Sequence, residues 1–597
     1  MRVIKNCSVW IILIVFLCLL STYGFSQNLS VGDLRPPAVP LITIDPYTSC
    51  WSPSNNLNDS PTKHWTGKNH SMNGYLQVDG KTYRFMGASE GKIETIAANG
   101  NGKGYEAIYT LHKPSDNWML PNFDDSKWVK AKGAFGNDGT PSFNTPWFGN
   151  DIWVRREIDW DGKNLDKLIF QIKNDDTFEM FINGVLTFQS KQYSAEYINY
   201  AITPEIKKVL KKGKNTIATH CYNTGGPGFI DFGIFYKVNE KVLEEKAIQK
   251  SLKITATQSV YEFLCGKVNL KLTFTSPLLL DNLDILSRPA SYVTYEITGT
   301  DGKDHHVKIY VDLTPEWCVN STQQEVVWEK QQYNGLTFLK AGTKDQNIFG
   351  TKGDGVRIDW GYVYLSASSG TNKSFVINKA NDVRTEFIQK GTIPAVDDKD
   401  FPRSAYTEMV ALAMSDNLGT INNKPVTGHY TIAYDDINSV RFFDKDLKAW
   451  WRRDGKLSFE DMLVQAEKEY EKTIQDCNKW DEKVNQDALN SGGAEYAKVC
   501  NLVYRQTIAA HKLVAGLDNT PYFFSKENYS GGFICTVDVT YPSAPLFLLY
   551  NTTLLKGMME PIFYYSESGK WTKPFPAHDI GLLSSGNRTN LWRRYAG

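Results

Sequence analysis

The chain has 597 residues, more than one hydrophobic core can serve, so several domains are expected. Its 66 Lys and Arg balance its 66 Asp and Glu, and no basic run stands out, which argues against nucleic acid as a partner. Aromatic residues reach 13%, with 16 Trp, a content common in secreted proteins that handle carbohydrate.

Residues 1–26 have the three parts of a secretory leader. Arg2 and Lys5 supply positive charge, Val9 to Leu20 is apolar, and Gly24 and Ser26 are small residues before Gln27. The apolar run is short for a span of roughly 20 residues, so cleavage, export to the periplasm or the outside, and no membrane contact afterwards are expected. Cys18 lacks the small residues of a lipoprotein site before it. The cysteines beyond the leader are odd in number and irregularly spaced, with no CxxC pair, so buried thiols are expected. Neither a metal nor a cofactor is expected.

Residues 27–103 begin as a β segment, with a proline-rich entry at Arg35 to Thr43. Tyr75 to Phe85 reads as a hairpin around Asp79-Gly80. His64 and Trp65 lie in a turn and are read as covering a domain seam. Residues 104–243 read as a separate sandwich of short alternating strands. Their turns and strands, from Trp118 through Ile152–Ile158 to Leu210–Ala218, resemble the galactose-binding-like jelly roll attached to many secreted glycosidases. Such modules bind sugar or act as spacers, and the sequence leaves both open.

Residues 244–455 continue as strands, among them Val268–Phe274 and Val307–Asp312. His305 and His306 are adjacent on a strand and face opposite sides, so a shared metal is not expected. Residues 456–490 read as an amphipathic connecting helix with Phe459, Met462, Leu463, Ala466, Tyr470 and Ile474 on one face. A second helix is expected from near Gly493, with Tyr496, Val499, Cys500, Val503, Thr507, His511 and Val514 along one side.

Between Tyr522 and Asp579 ionisable groups, aromatics and turn formers are interleaved, a mixture suited to the wall of a pocket for a small polar molecule. Asp538, between Val537 and Val539, is expected to be hydrogen-bonded or to have a shifted pKa, and is suited to general base work. Lys526, Glu527, His578 and Asp579 complete the candidate catalytic set; Tyr541, Asn528 and Trp571 are candidate substrate contacts. The competing structural roles are a helix cap for Asp538, a surface pair for Lys526 and Glu527, and a plain loop for His578-Asp579. No P-loop, GxSxG elbow or HExxH motif is present.

Several of these stretches resemble the secreted glutaminase A-like proteins. The matching motifs are Arg35 to Leu41, His64-Trp65-Thr66-Gly67, Phe523 to Asn528, Thr536 to Pro545, Pro561 to Tyr565 and Pro576 to Asp579. The resemblance covers nearly all of residues 30–580. It implies a multidomain, mostly β chain: a β-supersandwich with the jelly-roll module inserted, followed by an (α/α)6 six-hairpin toroid over residues 491–597. The implied reaction converts glutamine and water to glutamate and ammonia. A six-hairpin glycoside hydrolase and a non-catalytic carbohydrate-binding protein are the alternatives, so the expected ligand is glutamine or a saccharide.

The chain departs from the family after Ile580. A codon string for the family stretch, read one frame over, yields Leu583 to Gly597 after a single change of Asn to Thr. An out-of-frame tail from about 582, an incomplete toroid and loss of activity are therefore expected. N-terminal sequencing of exported protein should begin at Gln27; retention of the Val9–Leu20 segment would refute the leader.

Overall fold

The computed structural model describes residues 35–581, apart from 89–92, 101–103, 138–142, 164, 195–196, 227, 238–243, 352–354, 406–407 and 527–531. Residues 1–26, read above as a leader, Glu527, Asn528 and the residues from 582 lie outside the described residues.

The first feature that organises the chain is the hairpin Met72–Val78 and Lys81–Met86. Asp79 (φ 49°) and Gly80 (φ 82°) turn it through the left-handed region, the conformation an Asp-Gly pair supplies most readily. This hairpin joins a six-stranded sheet with His305–Leu313, Val410–Ile421, Lys373–Lys379 and the short strand Glu245–Lys246. A nine-stranded sheet completes the supersandwich, its strands falling between Ile248 and Asp435. Period-2 alternation sends Leu76, Ile309, Leu272, Val293 and Leu365 into one shared core. It also buries His305 while leaving His306 exposed. The inner rows of nine- and six-stranded sheets thus account for most of the apolar burial.

The chain leaves this sandwich after Met86 and re-enters at Glu245, which pairs parallel with Tyr83. Between these points lies a second sandwich of two six-stranded sheets around Phe170, Ile172, Ile217 and Phe232. It begins before residue 104: Ile93–Ala97 already pairs with Phe229–Lys237. The expected boundary therefore falls too late, because a single short edge strand has too little pattern to assign from sequence.

Ser458 caps the helix Phe459–Lys468 by accepting the Asp461 N–H at 3.0 Å. The longer helix Tyr470–Ala509 follows and kinks at Gly493, whose φ of 77° no other residue type adopts without strain. It ends sooner than expected. His511 and Val514 do not extend its face; they lie on the strand His511–Ala515, paired with Pro521–Ser525. Val514 is fully buried, whereas Tyr496, Val499 and Val503 are 50%, 43% and 45% exposed. The three-residue spacing of His511 and Val514 fits a helix, but the run from His511 to Val514 can also pair with the aromatic strand opposite, and pairing wins. Helices Val537–Tyr550 and Thr552–Glu567 then pack on that two-stranded sheet through Phe547, Leu554 and Met558.

Buried polar groups hold the helices to the β-domains. The Lys512 ammonium lies 2.6 Å from Asp45 and 2.8 Å from Asp436, all three buried. Arg505, wholly buried, donates to Thr43 and Ser259 hydroxyls and to the Leu41 carbonyl. Asp481 accepts from the Thr255 hydroxyl at 2.5 Å and the Thr257 N–H at 2.7 Å. Burial nevertheless holds the Asp481 carboxyl up at about 6. Because the folded value is the higher one, its contribution is complete below the unfolded value near 4 and is lost as pH rises through about 6. Asp481→Asn should therefore gain stability over the parent between pH 4 and pH 7 in urea unfolding; a pH-independent difference would contradict this.

Candidate functional site

Three short stretches are joined by backbone hydrogen bonds next to the aromatic strand Pro521–Ser525. Cys535 N–H donates to Ser525 O at 2.9 Å, Ile534 N–H to Gly581 O at 3.0 Å and Val537 N–H to His578 O at 2.9 Å. These contacts fix the first turn of helix Val537–Tyr550 against His578-Asp579.

The result is a line of three side chains. Asp579, with its side chain 2% exposed, accepts from the Gly581 N–H at 2.9 Å and lies 3.1 Å from His578 Nδ1. His578 Nε2 lies 3.1 Å from Asp538 Oδ2. The side chains of His578 and Asp538 are 51% and 70% exposed, so the line runs from the interior to solvent. Both ring nitrogens face carboxylate oxygens, which only accept; the imidazolium satisfies both at once. The Asp579 contact, followed by that of Asp538, raises the His578 pKa against the opposing effect of partial burial.

Asp538 thus differs from the expectation in one respect. Its sequence neighbours Val537 and Val539 do not enclose it, because adjacent residues on a helix point in different directions. It is hydrogen-bonded, as expected, but at the surface. The N-cap position belongs to Thr536, leaving Asp538 in the first turn. Tyr541, one turn further along, is 81% exposed beside it. Trp571 packs on Tyr565 and Phe575 and donates its ring N–H to the Phe575 carbonyl, a contact that closes its own loop. Lys526 is buried, its ammonium 5.1 Å from the centre of the Trp65 ring. Glu527 and Asn528 lie outside the described residues.

Sequence reasoning assigned Trp65 to a seam, and it does lie at one; its contact with Lys526 had no local signal. Nor did the Ser525 and Thr540 hydroxyls, 3.2 Å apart under the aspartate turn. Glycoside hydrolysis needs two carboxyl groups flanking the scissile bond, but Asp538 and Asp579 flank one imidazole, with Asp579 buried behind it. Among the described residues no three His, Cys, Asp or Glu are grouped to hold a metal, and no helix is long and apolar enough to cross a membrane.

The fold and site define a multidomain, mostly β protein ending in a helical domain of six-hairpin type. Three family models match along the chain: a glutaminase A six helical-hairpin domain over residues 493–589, and two domains of unknown function, DUF5127 over 257–487 and DUF4964 over 14–98. Glutaminase A of Aspergillus oryzae is 28% identical over 343 residues, covering 56% of this chain and 48% of that protein. A probable glutaminase of Arthroderma benhamiae is 25% identical over 334 residues, covering 53% of this chain and 37% of that protein. The chain therefore spans half or less of the length of these relatives. A β-glucuronidase structure from Bacteroides uniformis overlaps 43% of this chain and 31% of that one, at 10% identity and a TM-score of 0.21, too loosely to carry an argument. The chain belongs to the glutaminase A-like family.

The histidine gives a direct test of the geometry. In NMR titration the His578 resonance should have a midpoint above that of an ordinary exposed histidine. Asp579→Asn should lower it; an unchanged midpoint would show that the buried carboxylate does not act on the ring.

Proposed function

We propose that this site hydrolyses the side-chain amide of glutamine, after export of the mature chain. The observation that carries the reading is the line from buried Asp579 through His578 to exposed Asp538, and family membership supports it.

Amide hydrolysis needs a base for water and an acid for the departing nitrogen, since an amide anion is a poor leaving group. Asp538 is exposed to water and is the base: it takes one proton as the water oxygen bonds to the carboxamide carbon. His578, cationic between its two carboxylates, is the acid. Its Nε2 proton passes to the amide nitrogen, the carbon–nitrogen bond breaks, and ammonia leaves with glutamate behind. Proton transfer from Asp538 to His578 across their 3.1 Å contact restores the starting state. Asp579 keeps the ring oriented and its charge stabilised throughout. Because His578 must be charged to donate, activity should fall as pH rises through its raised pKa.

Ammonia release from glutamine should be measured in the 597-residue chain and in a version continued past Ile580 in the family reading frame. Asp538→Asn and His578→Gln should each lower kcat by about 100-fold or more wherever the parent turns over. Full turnover in both variants, or none in either parent, would overturn the reading.

A further inference from the structure

Two groups that exchange a proton across 3.1 Å need the elements that carry them held at a fixed spacing. The start of helix Val537–Tyr550, which carries Asp538, is not fixed in the usual way. Thr536 holds the N-cap position, yet its side chain makes no capping hydrogen bond, and its buried hydroxyl has no partner among the described residues. Pro542 and Pro545 lack an N–H, so the Asp538 and Tyr541 carbonyls receive no bond from the residue four ahead. The turn that presents Asp538 therefore depends on contacts from outside the helix. One is the bond from the Val537 N–H to the His578 carbonyl.

Ser525, buried at the end of strand Pro521–Ser525, supplies two more. Its carbonyl accepts the Cys535 N–H at 2.9 Å, and its hydroxyl lies 3.2 Å from Thr540 Oγ1. Cys535 precedes Asp538 and Thr540 follows it, so Ser525 holds the chain on both sides of the aspartate. Each helical residue turns the chain by about 100°, so Thr540 faces nearly opposite to Asp538. The hydroxyl therefore meets the strand while the carboxylate meets solvent. The strand itself is braced. Ser525 pairs with His511, and the Phe523 ring stacks on His511 at 4.7 Å and meets Phe547 edge-on at 5.1 Å. Alternate strand residues share a face, as do helical residues two turns apart. Strand and helix thus meet at the Phe523–Phe547 contact and, nearer Asp538, at the Ser525–Thr540 hydroxyl pair.

We propose that Ser525, acting through Thr540, is the positioning residue for the contact between Asp538 and His578. Its part in catalysis rests on the hydrolase reading of that contact; its part in the geometry does not. The hydroxyl pair keeps the first turn seated, so that Asp538 Oδ2 stays within reach of His578 Nε2.

Asp579 and Asp538 are the charged groups that face the imidazole, so NMR titration of His578 in the 597-residue chain reads the Asp538 contact without turnover. Thr540→Val keeps the shape of the side chain and removes its hydroxyl. It should lower the His578 midpoint by part of the shift that Asp538→Asn produces, whereas Thr540→Ser should keep the parent midpoint. In the Asp538→Asn background Thr540→Val should shift the midpoint no further, which a general loosening of the site would not reproduce. Ser525→Ala should act as Thr540→Val does and serves if that variant does not fold. Where the parent turns over glutamine, Thr540→Val should lower kcat by about tenfold with KM unchanged. Unmoved midpoints in Thr540→Val and Ser525→Ala, or a further shift in the Asp538→Asn background, would overturn the positioning role. The expected midpoints with no turnover in any parent would refute the hydrolase reading and leave the positioning contact standing. Unmoved midpoints with turnover lost in Asp538→Asn would do the reverse.

Discussion

The contact on which the rest of the molecule depends is the Lys512 ammonium between Asp45 and Asp436, all three closed off from water. A lone buried charge is so costly that it normally neutralises. Here two carboxylates at hydrogen-bond distance outweigh desolvation, and the Lys512 pKa is raised, not lowered. The surrounding groups complete the arrangement. Asp45 Oδ1 accepts the N–H groups of Tyr47 and Thr48, and Asp436 accepts the Ser439 hydroxyl. Replacing the whole cluster with apolar residues could be neutral in energy, whereas removing one member strands the others. The cluster therefore specifies one docking geometry. The turn between the paired strands Val39–Thr43 and Ser49–Ser52, the end of the large sandwich and the strand of the helical domain meet in one register.

That register has a consequence for the line of Asp579, His578 and Asp538. Lys512 is on the strand that pairs with Pro521–Ser525, and Ser525 accepts from Cys535 just before the Asp538 helix. Docking the first strand onto the β-domains thus sets the depth of the second, and with it the position of Lys526 against Trp65. Arg505 acts in the same direction ahead of the strand, donating to Thr43 and Leu41 of strand Val39–Thr43. Two wholly buried cations, Arg505 and Lys512, thus lie at the seam, where an error of register would pull them from their partners.

How much of this was readable in the sequence follows from the range of each interaction. The supersandwich strands were legible because alternation is local: Val268–Thr275 and His305–Leu313 carry their own period. Asp79-Gly80 declared its turn by residue type. The strand at His511 was misread as helix because its apolar positions fit both periods, and its true partner lies beyond an intervening turn. Asp538, His578 and Asp579 were marked by composition, but not their order in a line, since the first and second are 40 residues apart. Lys512 had no signal at all; its partner Asp45 lies 467 residues away. Burial of a lysine is decided by a tertiary partner, and single-sequence periodicity contains no term for one.

The site also shows why burial and exposure have to be combined in one chain of contacts. Two exposed carboxylates around a histidine would leave the ring free to turn, and two buried ones would leave nothing for substrate to meet. With Asp579 inside and Asp538 outside, the ring is oriented from one side and titrates against the other. The helix supplies this asymmetry through its first turn: the N–H of Val537 is spent on the His578 carbonyl, so the backbone that carries the histidine and the helix that carries the aspartate cannot move apart independently. The pair therefore keeps its spacing, as the proposed base and acid need if one is to meet the attacking water and the other the departing nitrogen.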